Sequence, residues 1–192
     1  MKLICVDIGI HNFSFIVAQI NSLQNSFDIQ YIENKDLLPN TNINKLILDQ
    51  SFFNLFHIYL KSIHSVFENC DACVIEKQLF SKKNFKACTV YHHLIAHLSI
   101  FFPKMKIIGF PSKNKYIFQS YQKMNYTQRK KWAVNYVSSI LQHQKDETVY
   151  EWLHTCFKKK DDICDCVLIF LSHAFRKGLL KRDCLPPPIN VC

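Results

Sequence analysis

Apolar residues fall first in short continuous runs and then in helical repeats, and this pattern predicts an ordered series of strands and helices. Leu3 to Val6 is a continuous apolar run that ends at Asp7, as is typical of a strand buried on both faces. Phe13 to Ile20 and Phe27 to Ile32 are typical of a second and a third strand. Residues 2–34 therefore predict an antiparallel meander.

Strands alternate with helices in the rest of the chain. From Leu46 to Phe67 the apolar residues recur three and four positions apart, which indicates an amphipathic helix. The further predicted elements are strands at 72–76 and 106–110 and helices at about 84–101, 113–121, 127–142 and 161–180. The stretch 143–160 is polar, and no regular element is predicted there.

Three consecutive strands followed by strands that alternate with helices predict an α/β fold, a mixed sheet with helices on its faces. No linker or internal repeat divides the chain, so we predict one domain over residues 1–182. Residues 183–192 include three consecutive prolines, and we predict a loosely held C-terminal tail there.

The charge of the chain favours a polyanionic partner. Among 192 residues, 24 are Lys or Arg and 15 are Asp or Glu, which gives a formal net charge of +9. Cations that neutralise phosphates release counterions, so this surplus of positive charge favours binding to nucleic acids. Many basic proteins, however, are basic only because charge keeps them soluble. With three glycines the chain has little room for Gly-rich phosphate loops, which argues against an actin-like or Hsp70-like ATPase.

Cysteine usage predicts a reducing compartment. The nine cysteines are an odd number, and several, such as Cys5 and Cys166, lie inside apolar runs where a thiol packs as a small hydrophobe. Asp7 interrupts the N-terminal apolar run, so we expect no secretory signal, and no apolar run is long enough to cross a bilayer. We therefore expect an intracellular protein that has no membrane partner. Cys70 and Cys73 lack a convincing second pair, and we interpret them as structural rather than zinc-binding.

Acidic residues end two of the predicted strands. Asp7 and Glu76 each come directly after an apolar run, and ligand sites in open α/β sheets lie at the carboxyl ends of strands. A carboxylate next to buried strands is costly unless it pairs with or binds a cation. For either acid alone, a structural hydrogen bond or salt bridge is the better explanation.

A further acidic pair opens the last predicted helix. Asp162 and Asp165 are three positions apart and share one helix face, although acids in a first turn also complement the helix dipole. With Asp7 and Glu76 they favour a metal site, because Mg²⁺ prefers oxygen ligands. Paired Mg²⁺ ions can activate water and stabilise the leaving oxygen in phosphodiester hydrolysis, and Mn²⁺ can substitute for them. The sequence therefore predicts a metal-dependent phosphodiesterase.

Three short motifs carry these acids. They are Asp7-Ile8-Gly9-Ile10-His11-Asn12, Val74-Ile75-Glu76-Lys77-Gln78 and Asp161-Asp162-Ile163-Cys164-Asp165-Cys166. In this order and at these separations they resemble the opening strand, the second acidic strand and the closing helix of the RuvC-like Holliday junction resolvases. The poxvirus-type and fungal mitochondrial members are the most similar, and the resemblance covers about residues 1–177.

This resemblance implies an RNase H-like fold and a homodimer that nicks four-way DNA junctions symmetrically with Mg²⁺. Carried over by position, the metal-binding acids are Asp7, Glu76, Asp162 and Asp165. The segment 111–115 resembles the family segment that supplies a basic residue near the scissile phosphate, where Lys115 fits best and Lys113 is the competitor. Many Lys, Asn, Ile and Phe residues are typical of an AT-rich viral genome, for which the compartment would be the host cytoplasm.

The sequence departs from the family pattern at two positions. His11 lies where the poxvirus-type pattern has a lysine. Asp161 leaves the register of the acidic pair open, because either Asp161 or Asp162 could act with Asp165.

Three basic clusters, two of which include aromatic residues, could bind the DNA backbone: 81–86, 126–132 and 158–160. Phosphate contacts position a substrate without reading its sequence, which suits a shape-selective enzyme, although lysine runs are most often solvated faces. Phe80 or Phe85 could wedge into an opened junction, but core packing or simple exposure explains most single aromatics. His93 and His97 have zinc-ligand spacing without the accompanying Glu, and we expect them to be hydrogen-bonded or partly exposed.

Two other functions stay open from the sequence. Another RNase H-like nuclease, acting on RNA–DNA hybrids or flaps, would share the same acids. A non-catalytic module that binds branched DNA would not need them, and carboxylates repel phosphate unless a metal intervenes.

Overall fold

The computed structural model of the protein describes residues 1–39, 42, 45–81, 84–118, 124–155 and 159–187. Lys82, Lys83 and Lys158 of the predicted basic clusters lie outside the described residues. So do residues 119–121 of one predicted helix and residues 188–192 of the predicted tail.

Five strands form one mixed sheet. They are β1 (Lys2–Ile8), β2 (Phe13–Asn21), β3 (Ser26–Lys35), β4 (Ala72–Glu76) and β5 (Lys106–Phe110), in the spatial order β3-β2-β1-β4-β5. The first three strands pair antiparallel, whereas β4 runs parallel to both β1 and β5. The predicted α/β class and mixed sheet are confirmed.

Six α-helices cover this sheet among the described residues. They are α1 (Gln50–Ser62), α2 (His64–Phe67), α3 (Phe85–Phe101), α4 (Tyr126–His143), α5 (Glu147–Thr155) and α6 (Lys160–Arg176), with short 3-10 helices at Ser112–Tyr116 and Arg182–Cys184. In the part of the chain that the structure describes, no helix has the length and apolarity needed to span a bilayer.

The sheet separates two hydrophobic cores, because successive strand residues point to opposite faces. Leu3 and Cys5 of β1 pack on one side with residues of α4, α5 and α6. Ile4 and Val6 pack on the other side with residues of α1, α2 and α3. Helix α6 is apolar nearly all round and is buried along most of its length, so its first turn is held firmly against the sheet.

Some predicted element bounds are wrong. The helix predicted over 46–67 begins only at Gln50, where Asp49 accepts a hydrogen bond from the Phe52 amide, and it is interrupted at Ile63, whose φ of −108° and ψ of 13° are not helical. The leucines before Gln50 pack against the core without being helical, so their spacing reflects burial. Helix α5 was missed within the polar stretch, where Val149 and Leu153 are the buried residues.

The ends of two other predicted helices also differ. The predicted helix 113–121 starts as a 3-10 helix over Ser112–Tyr116. Helix α6 ends at Arg176 rather than near residue 180, because Gly178 takes a φ of 66°, the left-handed conformation that closes helices. The boundary between domain and tail stays a prediction, although Leu185 is buried in the core.

Candidate active site

The five residues proposed from the sequence lie together at one edge of the sheet. Val6 of β1 pairs with Ile75 of the parallel strand β4, so Asp7 and Glu76, the next residue of each strand, end up side by side. Helix α6 packs on β1 and β2, which brings the acids of its first turns to the same edge. The 3-10 helix after β5 adds Lys115.

These residues line an open cleft of about 660 Å³. Its lining combines four acids with four cations and two tyrosine rings. The polar and aromatic residues that line it are Asp7, Glu76, Gln78, Asn84, Ser112, Lys113, Lys115, Tyr116, Tyr126, Arg129, Lys130, Asp162 and Asp165. Acids and bases therefore meet in one concave site, as in a polar active site for a charged substrate.

Lys115 is the central cation of the cleft. Only 4% of its surface is exposed, and its ammonium donates hydrogen bonds to Glu76 Oε2 and to Asp165 Oδ2, both at 2.8 Å. Its backbone carbonyl accepts a hydrogen bond from Ser172 Oγ at 3.3 Å, which fastens the 3-10 helix to α6. Burial lowers the pKa of Lys115, but the charges of the surrounding carboxylates outweigh burial and raise it, so the side chain stays an ammonium.

Asp7, Asp162 and Asp165 each bind a proton more tightly than an ordinary aspartate does. Burial and the neighbouring Glu76 raise the pKa of Asp7 to about 8, against the opposing charge of Lys115. Burial, with Asp161 and Asp7 nearby, raises the pKa of Asp162 to about 6. Burial also raises the pKa of Asp165, although Lys115 opposes it. Burial thus disfavours the charged form of these carboxyl groups, and a bound metal ion would offset that cost.

The donor chemistry of the cleft fits a divalent ion with oxygen ligands. Asp162 Oδ2 is buried and lacks any hydrogen-bond partner, an arrangement that costs free energy unless a cation or water satisfies it. Within the described residues, no three Asp, Glu, His or Cys side chains are arranged to hold a metal ion as they stand. Two of the four carboxylates instead turn to Lys115.

The two aspartates at the start of α6 face different partners. Asp162 lines the cleft. Asp161 accepts a hydrogen bond from Lys130, whose ammonium also lies 5.0 Å from the centre of the Tyr126 ring. The orientation of the helix thus directs Asp162 and Asp165 into the cleft together.

Other candidates from the sequence lie around or away from this centre. Arg129 and Lys130 of the predicted basic cluster form part of the cleft wall. Phe80 and Phe85 are 77% and 51% exposed and pack edge to face on the segment that follows Glu76. His11 Nδ1 lies 3.2 Å from Asp36 Oδ1, and His11 is not among the residues that line the cleft.

Two amide residues of the cleft lie in segments quoted from the sequence but had no role assigned to them. Gln78 and Asn84 both line it, and Asn84 Nδ2 donates to Gln78 Oε1 at 3.0 Å and to the Leu79 carbonyl at 3.1 Å. These bonds hold the start of helix α3 beside the residues that follow strand β4. Asn84 lies in the predicted basic cluster 81–86 and directly precedes helix α3, and Gln78 lies in the motif of Glu76.

Comparison with known proteins supports the fold. No protein-family model and no curated protein sequence matches the chain. Solved structures do match, among them the fowlpox virus Holliday junction resolvase, with a TM-score of 0.62 and 18% identity over 92% of this chain and 99% of that one. The yeast mitochondrial Holliday junction resolvase matches with a TM-score of 0.62 and 20% identity over 92% of this chain and 79% of that one.

A bacterial structure matches as well. RuvC of Thermus thermophilus in complex with a Holliday junction substrate has a TM-score of 0.55 and 14% identity over 94% of this chain and 98% of that one. The sheet order and the flanking helices agree with these comparisons. The chain therefore has the RuvC-like fold of the Holliday junction resolvases.

Proposed function

We propose that this protein is a divalent-metal-dependent endonuclease that resolves four-way DNA junctions. The observation that carries the proposal is the cleft itself, where four carboxylates from β1, β4 and α6 line one cavity with further cations and two of the carboxylates bind a buried lysine. Two of the structurally similar proteins, from fowlpox virus and Thermus thermophilus, were solved with Holliday junction DNA. The fold and the chemistry of the cleft point to the same class of substrate.

Each group of side chains has a distinct task in this proposal. Asp7, Glu76, Asp162 and Asp165 would hold Mg²⁺ or Mn²⁺, which supplies activation of water and neutralisation of developing charge. Lys113, Arg129 and Lys130 bind backbone phosphates and orient the strand over the acids. Lys115 donates hydrogen bonds from inside the cleft and stabilises negative charge on the phosphoryl oxygens.

The proposal includes a homodimer. A four-way junction has nearly two-fold symmetry, so two copies related by a two-fold axis present equivalent clefts to opposite strands. It also includes a reducing, intracellular compartment, which in an infected cell would be the host cytoplasm. Free thiols are typical of such a compartment. Among the described residues, the cysteines with a free thiol are Cys5, Cys70, Cys73, Cys88, Cys164, Cys166 and Cys184.

A cleavage assay tests this function directly. Purified protein is incubated with a labelled synthetic four-way junction, with Mg²⁺ or with a chelator, beside Asp7→Asn and Asp28→Asn. Asp28 is an exposed acid on strand β3 and serves as the matched control. We expect symmetrically paired nicks that need Mg²⁺, persist in Asp28→Asn and disappear in Asp7→Asn, while junction binding is retained.

Other outcomes favour the two alternative functions. Junction binding without cutting in Mg²⁺ or Mn²⁺ would identify a non-catalytic branched-DNA-binding module. Cutting of an RNA–DNA hybrid or a flap in preference to the junction would identify a different RNase H-like nuclease, since such an enzyme uses the same acids.

A further inference from the structure

Two of the four carboxylates of the cleft accept hydrogen bonds from Lys115. Glu76 and Asp165 share one ammonium, with both oxygens 2.8 Å from Lys115 Nζ. Asp7 and Asp162 make no such hydrogen bond to the ammonium, and Asp162 Oδ2 is buried without any hydrogen-bond partner. The lysine thus occupies two of the carboxylates and leaves the buried oxygen of Asp162 in need of a cation.

Lys115 is held firmly where it lies. Its side chain is 5% exposed, and its backbone is fastened to α6 through Ser172. An ammonium at hydrogen-bond distance from both Glu76 and Asp165 stands where a metal ion would have to lie to be bound by those two oxygens together. A divalent ion can join that pair only by displacing the ammonium.

We propose that Lys115 fills one of two cation positions in the cleft, so that the protein without DNA binds a single divalent ion beside Asp7 and Asp162. A second ion binds between Glu76 and Asp165 only after the ammonium leaves them. This inference rests on the proposed nuclease function, in which a DNA phosphate is the group that accepts the ammonium. Lys115 then couples the binding of the second ion to the arrival of the substrate.

Mn²⁺ titration without DNA tests the proposal independently of cleavage. Free Mn²⁺ is followed by electron paramagnetic resonance for the wild type, Lys115→Gln and Lys113→Gln. Lys113 lies in the same 3-10 helix and lines the same cleft, so its variant removes an equal charge from the same wall. We expect one bound ion in the wild type and in Lys113→Gln. In Lys115→Gln we expect a second ion, with a Kd for the second site about tenfold or more below that of the wild type.

Each other result has a definite meaning. Two bound ions in the wild type without DNA, or an equal effect of both variants, would overturn the role of Lys115 and leave the nuclease function standing. Absence of Mn²⁺ binding in all three proteins would overturn the metal-dependent function itself. If Lys115→Gln does not fold, Lys115→Met replaces the buried ammonium by an apolar chain of similar length, and the same stoichiometry is expected.

Discussion

The surroundings of Asp7 disfavour the negative charge of its carboxylate. Burial and the neighbouring Glu76 raise its pKa from 3.8 to about 8, so the folded protein keeps a proton that the unfolded chain releases. A raised folded-state pKa gives stability that is fully present below the unfolded pKa and is lost as the pH rises through the folded pKa. In the absence of metal, the carboxylate of Asp7 therefore weakens the fold most at mildly alkaline pH.

We expect Asp7→Asn to stabilise the metal-free protein while abolishing cleavage. Asparagine has no proton to lose, so the free energy of unfolding in chelator should rise by about 1–2 kcal/mol at pH 8.5, and the gain should shrink towards pH 5. Denaturant unfolding at both pH values measures this difference. Asp28→Asn, at an exposed position, should leave it unchanged. A stability loss in Asp7→Asn at both pH values would contradict the argument.

Some contacts between site residues could be predicted from the sequence, and others could not. Asp7 and Glu76 could be predicted as neighbours because each directly ends an apolar run, and parallel strands bring such ends together. The bridge made by Lys115 could not be predicted, because its two partners lie 39 and 50 positions away and the contact depends on how α6 packs. The choice between Asp161 and Asp162 likewise depends on the rotation of that helix.

At the scale of elements, three histidines tie together the helices α1, α2 and α3. His97 Nδ1 lies 3.0 Å from His57 Nδ1, and His97 Nε2 lies 3.1 Å from His64 Nε2. A neutral imidazole offers one donor and one acceptor, so a neutral His97 satisfies both neighbours when one of them donates and the other accepts. Burial and the charges of the nearby His57, His64, His93 and Lys61 lower the pKa of His97 to about 4.

This cluster should make the fold sensitive to acid. The unfolded chain binds a proton at His97 near pH 6.5, whereas the folded protein resists it until about pH 4. Its contribution is fully present above the unfolded pKa and is lost as the pH falls. We expect His97→Leu to reduce the loss of unfolding free energy between pH 7.5 and pH 5 by about 1–2 kcal/mol. His92→Leu, at an exposed position on the same helix, is the control. Equal pH dependence of His97→Leu and the wild type would refute the role of the cluster.

Elements were predicted well where burial and local signals agree. The strands followed from continuous apolar runs, and α3 and α6 from long apolar stretches. Helix α5 was missed because only Val149 and Leu153 are buried among polar neighbours, which gives too short a pattern. The interruption at Ile63 was missed because Ile63 is buried and keeps the apolar spacing across the break.

At the scale of the whole molecule, charge is distributed to suit a polyanion. The net charge is +9, yet four acids line the cleft together with the cations Lys113, Arg129 and Lys130. The long-range field of such a charge attracts polyanions, and the acids repel phosphates unless a cation intervenes. In the proposed nuclease, attraction by the cations and repulsion by the acids would make the binding of metal and of DNA depend on each other in one cleft.

The salt dependence of junction binding in a variant of Arg129 tests whether the cations of the cleft hold the DNA. The Arg129 guanidinium lies 5.9 Å from the centre of the Tyr116 ring and lines the cleft, where it can neutralise one phosphate. We expect Arg129→Gln to weaken four-way junction binding and to lower the slope of log K against log salt by roughly one unit, measured by fluorescence anisotropy in chelator. Lys104→Gln removes an exposed charge before β5, at the opposite end of the parallel strands, and should leave the slope unchanged. Equal slopes for both variants would mean that the net charge, and not the cleft, holds the DNA.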